Sequence, residues 1–160
     1  MDLLQKMFRA RNYTPISIGE RQLMSGGTIA LLTDSVSKKS LQSLLSCIPG
    51  QFDAIIIVAT CNKMPATLTR RALEMEYNIE FFTEAELRLN AVFHRNMPTY
   101  TLLDEASVAS LEQQKKIPRR ALPVLLPTDP ITRYYGFKIG SVVQIEHQDR
   151  VWYRIVQDVP

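Results

Sequence analysis

The segment LPVLLPTDPITRYYGFKIG occupies residues 122–140, and WYRIV follows at residues 152–156. Asp129 and Pro130 predict a turn or the first turn of a helix, because an Asp side chain accepts backbone N–H bonds and proline presets φ. Arg133 lies four residues after Asp129, within pairing reach if the turn is helical. The segment therefore predicts a short, well-defined structural unit.

This unit contains two glycines and an Arg-Tyr-Tyr run. Gly136 and Gly140 are suited to positive φ or to close backbone approach. Arg133, Tyr134 and Tyr135 are residue types enriched at the centres of protein interfaces. The unit contains no nucleophile–base pair and no metal-ligand spacing. Either docking to a partner or a self-contained small fold would explain it, and physical reasoning alone leaves the two equal.

The surrounding C-terminal sequence predicts one helix and one hairpin. Asp104 is a plausible cap for a helix to about Lys115, with Val108 and Leu111 on one face. Ser141–Ile145 and Val151–Val156 predict an antiparallel hairpin around His147-Gln148-Asp149. Four prolines between the helix and the hairpin oppose helix and favour extended backbone: Pro118, Pro123, Pro127 and Pro130.

The N-terminal half alternates predicted helices and strands, which indicates an α/β domain with a partly parallel central sheet. The predicted elements are a helix from Asp2 to about Asn12, a strand at Thr28–Thr33, a helix from Ser35 or Ser37 to Ile48, a strand at Phe52–Ala59, a helix from Pro65 to about Glu76, a strand at Ile79–Phe82 and a helix at Thr83–Arg88. Gly26-Gly27 separates the first helix from the first strand. The fold class is α+β overall, with an α/β domain over residues 1–90 and a small α/β domain ending in a β-hairpin over residues 91–160.

The composition narrows the class of protein but does not identify its function. An apolar fraction of 46% and a charged fraction of 22% support a folded core. We expect an intracellular protein, since no apolar run resembles a secretory signal or a membrane span. Cys47 and Cys61 lack partners at ligand spacing, and His94 and His147 are isolated. We therefore predict no metal and no cofactor.

A catalytic interpretation has little support. Asp53 with Glu74 or Glu80 could suggest a carboxylate metal site of the nuclease kind. Asp53, however, precedes the apolar strand instead of following it, and the sequence has no phosphate-binding or nucleophile-elbow motif. We predict that the chain is not an enzyme.

Two basic features could bind phosphate. Basic side chains that are only exposed to solvent are the simpler explanation of each. The run Lys115–Arg120 carries four bases and is interpreted as a connector. The turn Met64–Thr67 would begin a helix after a central strand, with its N–H groups outward and Arg70 and Arg71 following.

The block that opens at Leu122 resembles the C-terminal domain that the fifth common subunit of eukaryotic nuclear RNA polymerases shares with its smaller archaeal counterpart. The shared pattern is Leu-Pro, Asp-Pro-x-x-Arg-Tyr-x-Gly, Lys-x-Gly-x-Val-Val and a closing Tyr-Arg. Segments 52–59, 65–73 and 79–89 resemble the N-terminal jaw domain of the eukaryotic protein, which the archaeal one lacks. The resemblance covers about residues 52–160 and is weak over 1–51.

The resemblance implies a noncatalytic polymerase subunit in the nucleus, or in the nucleolus if it serves RNA polymerase I. Its C-terminal assembly domain would bind the largest subunit, alongside other polymerase subunits, and its jaw would approach downstream double-stranded DNA. The implied interface residues are Asp129, Pro130, Arg133, Tyr134, Gly136, Lys138, Gly140, Tyr153 and Arg154. The implied DNA-proximal residues are Pro65, Ala66, Thr67, Arg70 and Arg71. We therefore expect Arg133→Ala with Tyr134→Ala to weaken assembly and leave the jaw folded.

The sequence also departs from the family pattern. Met64 and Ala66-Thr67 replace the usual residues of the jaw turn. Tyr100 stands where the family usually has His. The loop at Gln148-Asp149 and the N-terminal region are shorter than in the family. These departures indicate a divergent paralogue, similar to the second version that kinetoplastid protozoa associate with RNA polymerase I. A large DNA virus is the alternative source. The alternative functions are a nuclease-like metal-dependent enzyme and a free transcription adapter.

Overall fold

A computed structural model describes residues 2–19, 21–34, 37, 43, 45–46, 48, 52–60, 78–88 and 96–158. The chain divides into two compact units, Met1–Leu89 and Asn90–Pro160. Helices and two mixed sheets make the fold α+β, as the sequence predicts. Among the described residues, none of the helices combines the length and the apolar character that a membrane span requires.

The N-terminal unit is built on a five-stranded sheet whose strands follow one another in chain order. The strands are β1 (Ile16–Gly19), β2 (Gln22–Ser25), β3 (Thr28–Thr33), β4 (Ala54–Ala59) and β5 (Asn78–Thr83). The first three strands are antiparallel, whereas β3, β4 and β5 are parallel. The partly parallel sheet is confirmed.

The central strand β4 is buried on both faces. Ile55 is in register with Ile29 and Ile79, and these residues belong to a cluster on one face. Ile56, on the other face, is fully buried and in register with Glu80. Because both faces are covered, this part of the sequence is continuously apolar instead of alternating.

Helix α1 (Asp2–Ala10) packs with its apolar stripe inward and ends close to the sheet. The spacing of Leu3, Leu4, Met7 and Phe8 predicts an apolar stripe on this helix; Leu4, Met7 and Phe8 are buried and Leu3 is partly buried. Just beyond the helix, the guanidinium of Arg11 forms two hydrogen bonds to the carboxylate of Glu80, at 3.1 and 2.6 Å. This ion pair joins the end of α1 to β5.

Strands β1 and β2 were not predicted from the sequence. Leu23 is fully buried in β2, but the strand is only four residues long and begins and ends with the polar Gln22 and Ser25, so its pattern is weak. The two-residue turn at Gly26 and Gly27 joins β2 to β3, with φ values of 47° and 79°. Positive φ at both positions is what a tight type I′ hairpin needs. The glycines therefore connect two strands, where the sequence predicted a boundary between a helix and a strand.

The short helix α2 (Glu84–Arg88) follows β5 directly, in agreement with prediction. Its start is fixed by a capping box: the Thr83 hydroxyl accepts the Glu86 N–H at 3.1 Å, and the Glu86 carboxylate accepts the Thr83 N–H at 2.6 Å. The predicted helices at 65–76 and, for the most part, at 35–48 lie outside the described residues.

The C-terminal unit is a four-stranded sheet with helices on it. Its elements are β6 (Thr99–Leu102), α3 (Glu105–Lys115), a 3-10 turn (Arg119–Ala121), β7 (Val124–Leu125), α4 (Pro130–Tyr135), β8 (Val142–His147) and β9 (Arg150–Val156). The sheet order is β6-β8-β9-β7. The predicted β8–β9 hairpin and the α3 helix are confirmed.

One proline departs from the predicted extended backbone, and Pro130 opens a helix as the Asp129-Pro130 pair predicts. The Arg119–Ala121 segment after Pro118 is a 3-10 turn instead of extended backbone. Pro130 is the first residue of α4, where its missing N–H would have no helical partner anyway.

Candidate protein-interface site

The segment Leu126–Gly140, hereafter the anchor segment, lies against one face of the C-terminal sheet. That face is formed by Leu125, Val143, Ile145 and Val156, with Tyr100, Phe137 and Trp152 packed on them. The opposite face packs against α3 through Val108 and Leu111. Cross-strand registers place the two residue sets on alternate positions of β8 and β9.

Both ends of α4 are fixed by its own sequence. The Asp129 carboxylate caps the start by accepting the Ile131 N–H at 2.8 Å. Gly136 ends the helix with φ 69°, donating its N–H to Arg133 O at 3.2 Å, while the Phe137 N–H reaches Thr132 O at 3.0 Å. This pair of bonds is a Schellman motif. The predicted positive φ at Gly136 is confirmed, as it is at Gly140.

The loop after α4 is tied to the end of β9. Gly140, with φ 89°, donates its N–H to Val156 O at 2.8 Å, and Val156 returns its own N–H to Ser141 O at 2.8 Å. The loop presents Lys138 and Ile139 to solvent, and the Ile139 side chain is 67% exposed. A large apolar side chain is thus held outward on a well-anchored loop.

Aromatic rings form a row beneath this loop. Tyr135 stacks on Phe137 with ring centroids 5.1 Å apart and planes 3° from parallel, and Tyr100 lies 6.0 Å from Tyr135. Burial raises the pKa of both tyrosine hydroxyls above 10.0, and the charge of Asp129 raises that of Tyr100 further. The row is therefore neutral. Sequence reasoning did not assign Tyr100 or Phe137 to the site, although both precede or follow β-rich runs.

Three residues of the implied interface have internal roles in this unit. Tyr134 is 1% exposed, so its ring is part of the interior. Arg154 donates from Nη1 to Val124 O at 3.1 Å, which connects β9 to the short parallel strand β7. Tyr153 packs with the α3 cluster on the other face. Tyr134 and Arg154 thus stabilise the fold, and Tyr153 packs on the face of the sheet opposite the anchor segment.

The remaining implied residues do lie together on the anchor segment. Pro130 and Lys138 are exposed, whereas Asp129, Arg133 and Gly136 are half-buried. The implied DNA-proximal residues all lie outside the described residues: Pro65, Ala66, Thr67, Arg70 and Arg71.

The carboxylates that could have suggested a nuclease site are dispersed. Asp53 is exposed at the start of β4, beside the backbone of Gly27. Glu80 is engaged by Arg11, and Glu74 is not among the described residues. Within the described ranges, no three His, Cys, Asp or Glu side chains come together as a metal site.

The cap of α3 makes the stability of this unit sensitive to acid. Hydrogen bonds from the side chain and backbone of Ser107 hold the pKa of Asp104 below its ordinary value of 3.8. Because the folded-state pKa is the lower one, the ionised cap stabilises the fold above pH 3.8, and this contribution is lost as the pH falls through the lowered value.

We expect Asp104→Asn to be less stable than the parent at neutral pH, with the difference closing in acid. Asparagine also caps helices well but carries no charge for the helix dipole and does not titrate. Urea unfolding followed by the fluorescence of Trp152, the chain's single tryptophan, measures this at a series of pH values. A difference that stays constant below pH 3.8 would contradict the assignment.

The C-terminal unit is similar to known proteins. Residues 89–156 match the family described as RNA polymerase Rpb5, C-terminal domain. The DNA-directed RNA polymerase subunit 5-like protein 1 of Arabidopsis thaliana is 36% identical over 95 residues, covering 59% of this chain and 45% of the relative.

Two further relatives carry the names of shared polymerase subunits. The DNA-directed RNA polymerases I, II, and III subunit RPABC1 of Caenorhabditis elegans is 33% identical over 92 residues, covering 58% of this chain and 44% of the relative. The corresponding subunit rpabc1 of Dictyostelium discoideum is 34% identical over 98 residues, covering 59% of this chain and 50% of the relative. The chain thus matches about half the length of these curated relatives.

Proposed function

We propose that the chain is a noncatalytic subunit of a multisubunit DNA-dependent RNA polymerase, because its residues 89–156 match the Rpb5 C-terminal domain family. Its C-terminal unit anchors it to the largest subunit, in contact with other polymerase subunits. The protein then acts in the nucleus, where such a polymerase works, and in the nucleolus if its polymerase is RNA polymerase I.

The observation that carries this proposal is the anchor segment. Its helix is capped at both ends, its loop is bonded to β9, and the exposed Lys138 and Ile139 stand on that fixed loop. A pre-organised loop costs less conformational entropy on binding than a mobile one. An exposed apolar side chain beside a cation is a suitable central contact for a partner protein.

The N-terminal unit has the second role in this proposal. We assign it as the jaw domain that approaches downstream duplex DNA, with the turn at Pro65–Thr67 and the cations Arg70 and Arg71 nearest to the phosphates. Support comes from the resemblance of the sequence and from the partly parallel sheet that the turn would follow.

The test is native affinity purification of tagged full-length protein carrying Lys138→Glu and Ile139→Asp. We expect recovery of the largest polymerase subunit to fall about tenfold, because the double change removes the apolar contact and reverses the charge. Gel filtration of the same extract would show the variant leaving the very large complex and eluting free.

The matched control is Arg150→Glu with Val151→Asp. It changes an equally arranged basic and apolar pair, of which Val151 is 51% exposed, on the hairpin outside the anchor segment. This control should recover the largest subunit normally. Normal recovery by the Lys138/Ile139 variant, with unchanged Trp152 fluorescence, would overturn the proposed anchoring. Elution of the parent protein outside any large complex would favour a free adapter instead.

A further inference from the structure

An apolar groove lies on the part of the C-terminal unit that the anchor segment does not use. It has a volume of about 250 Å³ and runs between the C-terminal half of α3, the connector after it and β9. Its walls are mostly hydrocarbon, contributed by Val108, Leu111, Ile117, Leu122, Trp152 and Tyr153. The groove is open to solvent beside Ile117, whose side chain is 42% exposed.

The acidic side chains near this groove are already engaged. The Glu112 carboxylate accepts the Arg119 backbone N–H at 2.5 Å, and Glu105 pairs with the Arg119 guanidinium at 2.5 Å. One cation of the basic run is thereby neutralised, and it is the one folded back onto α3.

The other cations of the run remain unmatched at the rim. Lys115 lines the groove, Lys116 is exposed between the lining residues Lys115 and Ile117, and Arg120 is exposed two residues before the lining residue Leu122. In the described part of the chain, none of the three has a carboxylate within ion-pair distance. The groove is thus apolar at its floor and positive at its edge.

The backbone at Lys116 adds a second observation. Lys116 ends α3 in the left-handed region, with φ 53° and ψ 34°. Glycine is usually preferred at such a helix end, since it adopts positive φ without steric cost. A lysine stands here where glycine would fit the backbone better, and its charge adds to the rim.

We propose that this groove binds an acidic peptide segment of a partner protein, with a bulky apolar side chain in the groove and flanking Asp or Glu residues on the cations. An apolar side chain of the ligand would fill the apolar floor, and negative charges of the ligand would pair with the cations at the rim. A peptide of alternating acidic and apolar residues supplies both, whereas a nucleic-acid backbone supplies only the charge. None of the residues that line the groove belongs to the anchor segment, although Trp152 also packs with the cluster beneath that segment.

Trp152 allows a direct test, because the chain's single tryptophan lines the groove. Full-length protein is titrated with a synthetic peptide in which Phe and Leu alternate with pairs of Asp and Glu. We expect a saturable change in Trp152 emission that weakens as salt is added, since exposed charges are screened. A peptide with Lys in place of every acid should give no such change.

Two variants probe the rim and the floor separately. Lys116→Gly with Arg120→Gln removes two rim charges, leaves Lys115 in the wall and should not destabilise the fold, because glycine suits the backbone at residue 116. We expect it to weaken peptide binding about fivefold. Ile117→Asp should weaken binding about tenfold by placing a negative charge at the mouth of the groove.

The charge control is Arg9→Gln with Arg150→Gln, two exposed cations that do not line the groove. It should bind the peptide as the parent does. Absence of a saturable Trp152 response, or equal losses in the rim variant and this control, would overturn the proposal. Equal binding of the lysine peptide, or a Trp152 response only to single-stranded or duplex DNA oligonucleotides, would overturn it as well.

Discussion

Replacing Tyr134 by alanine will destabilise the C-terminal unit by about 3–5 kcal/mol, the range found when large aromatic side chains are removed from cores. Tyr134 is 1% exposed and is the largest of the fully buried side chains among the described residues. Its ring packs edge-on to Tyr135 with centroids 5.6 Å apart, so its loss also disturbs the aromatic row. Urea unfolding followed by Trp152 fluorescence reports this unit, because Trp152 lies in it.

The control is Tyr134→Phe, which keeps the ring and removes only the hydroxyl. We expect it to cost much less than the alanine change, because the ring that fills the core remains. If Tyr134→Ala were as stable as Tyr134→Phe, the ring would not be part of the core.

The burial of Tyr134 changes how an assembly defect of a Tyr134 variant should be interpreted. The family resemblance places Tyr134 in the interface, and the double change Arg133→Ala with Tyr134→Ala would then test binding. Because Tyr134 is internal, that double variant would lose assembly through unfolding of the unit. Lys138 and Ile139 are the better choice, since both are exposed and neither supports the core.

Replacing Glu80 by alanine will destabilise the N-terminal unit by about 3 kcal/mol, the lower end of the cost of breaking a buried ion pair. The side chain of Arg11 is 5% exposed and that of Glu80 is 30% exposed. Removing the carboxylate deletes both guanidinium hydrogen bonds and withdraws the counter-charge from a cation held in a low-dielectric environment. Urea unfolding followed by far-ultraviolet circular dichroism measures the change.

The matched control is Glu84→Ala. Glu84 pairs with Arg88 at 2.6 Å, the same distance as the Arg11–Glu80 contact, but the Arg88 side chain is 69% exposed. Exposed helix pairs contribute about 0.3–0.5 kcal/mol, so this variant should be nearly as stable as the parent. Similar losses in the two variants would show that burial does not decide the strength of the Arg11–Glu80 pair.

Much of the fold followed from local patterns that have a direct physical cause. The nearly continuous apolar run at 52–59 predicted the central strand β4, Asp104 predicted the start of α3, and Gly136 predicted positive φ after α4. Strands β1 and β2 could not be predicted in this way. Each has four residues, and a strand that short is defined by its neighbours more than by its own side chains.

The residues of the candidate site also differ in whether local sequence patterns could predict their roles. The Asp129–Gly140 pattern located the anchor segment, because caps and positive φ are local requirements. The pattern could not separate the internal Tyr134 and Arg154 from the exposed Lys138, since burial depends on which elements meet across the sheet. The groove beside α3 was missed for a related reason. Its walls come from α3, the connector and β9, which are distant in sequence.

By itself, the sequence determined where α4 begins and ends, which glycines bend the backbone, and that residues 89–156 match the family described as RNA polymerase Rpb5, C-terminal domain. These properties depend on residues a few positions apart, or on a pattern read along the chain. Only the tertiary structure decided that Tyr134 is buried, that Arg154 bonds to the backbone of β7, that Arg11 pairs with Glu80, and that an apolar groove with Lys115 in its wall lies beside α3. Long-range packing sets burial and charge pairing, so these assignments required the folded arrangement of the strands and helices.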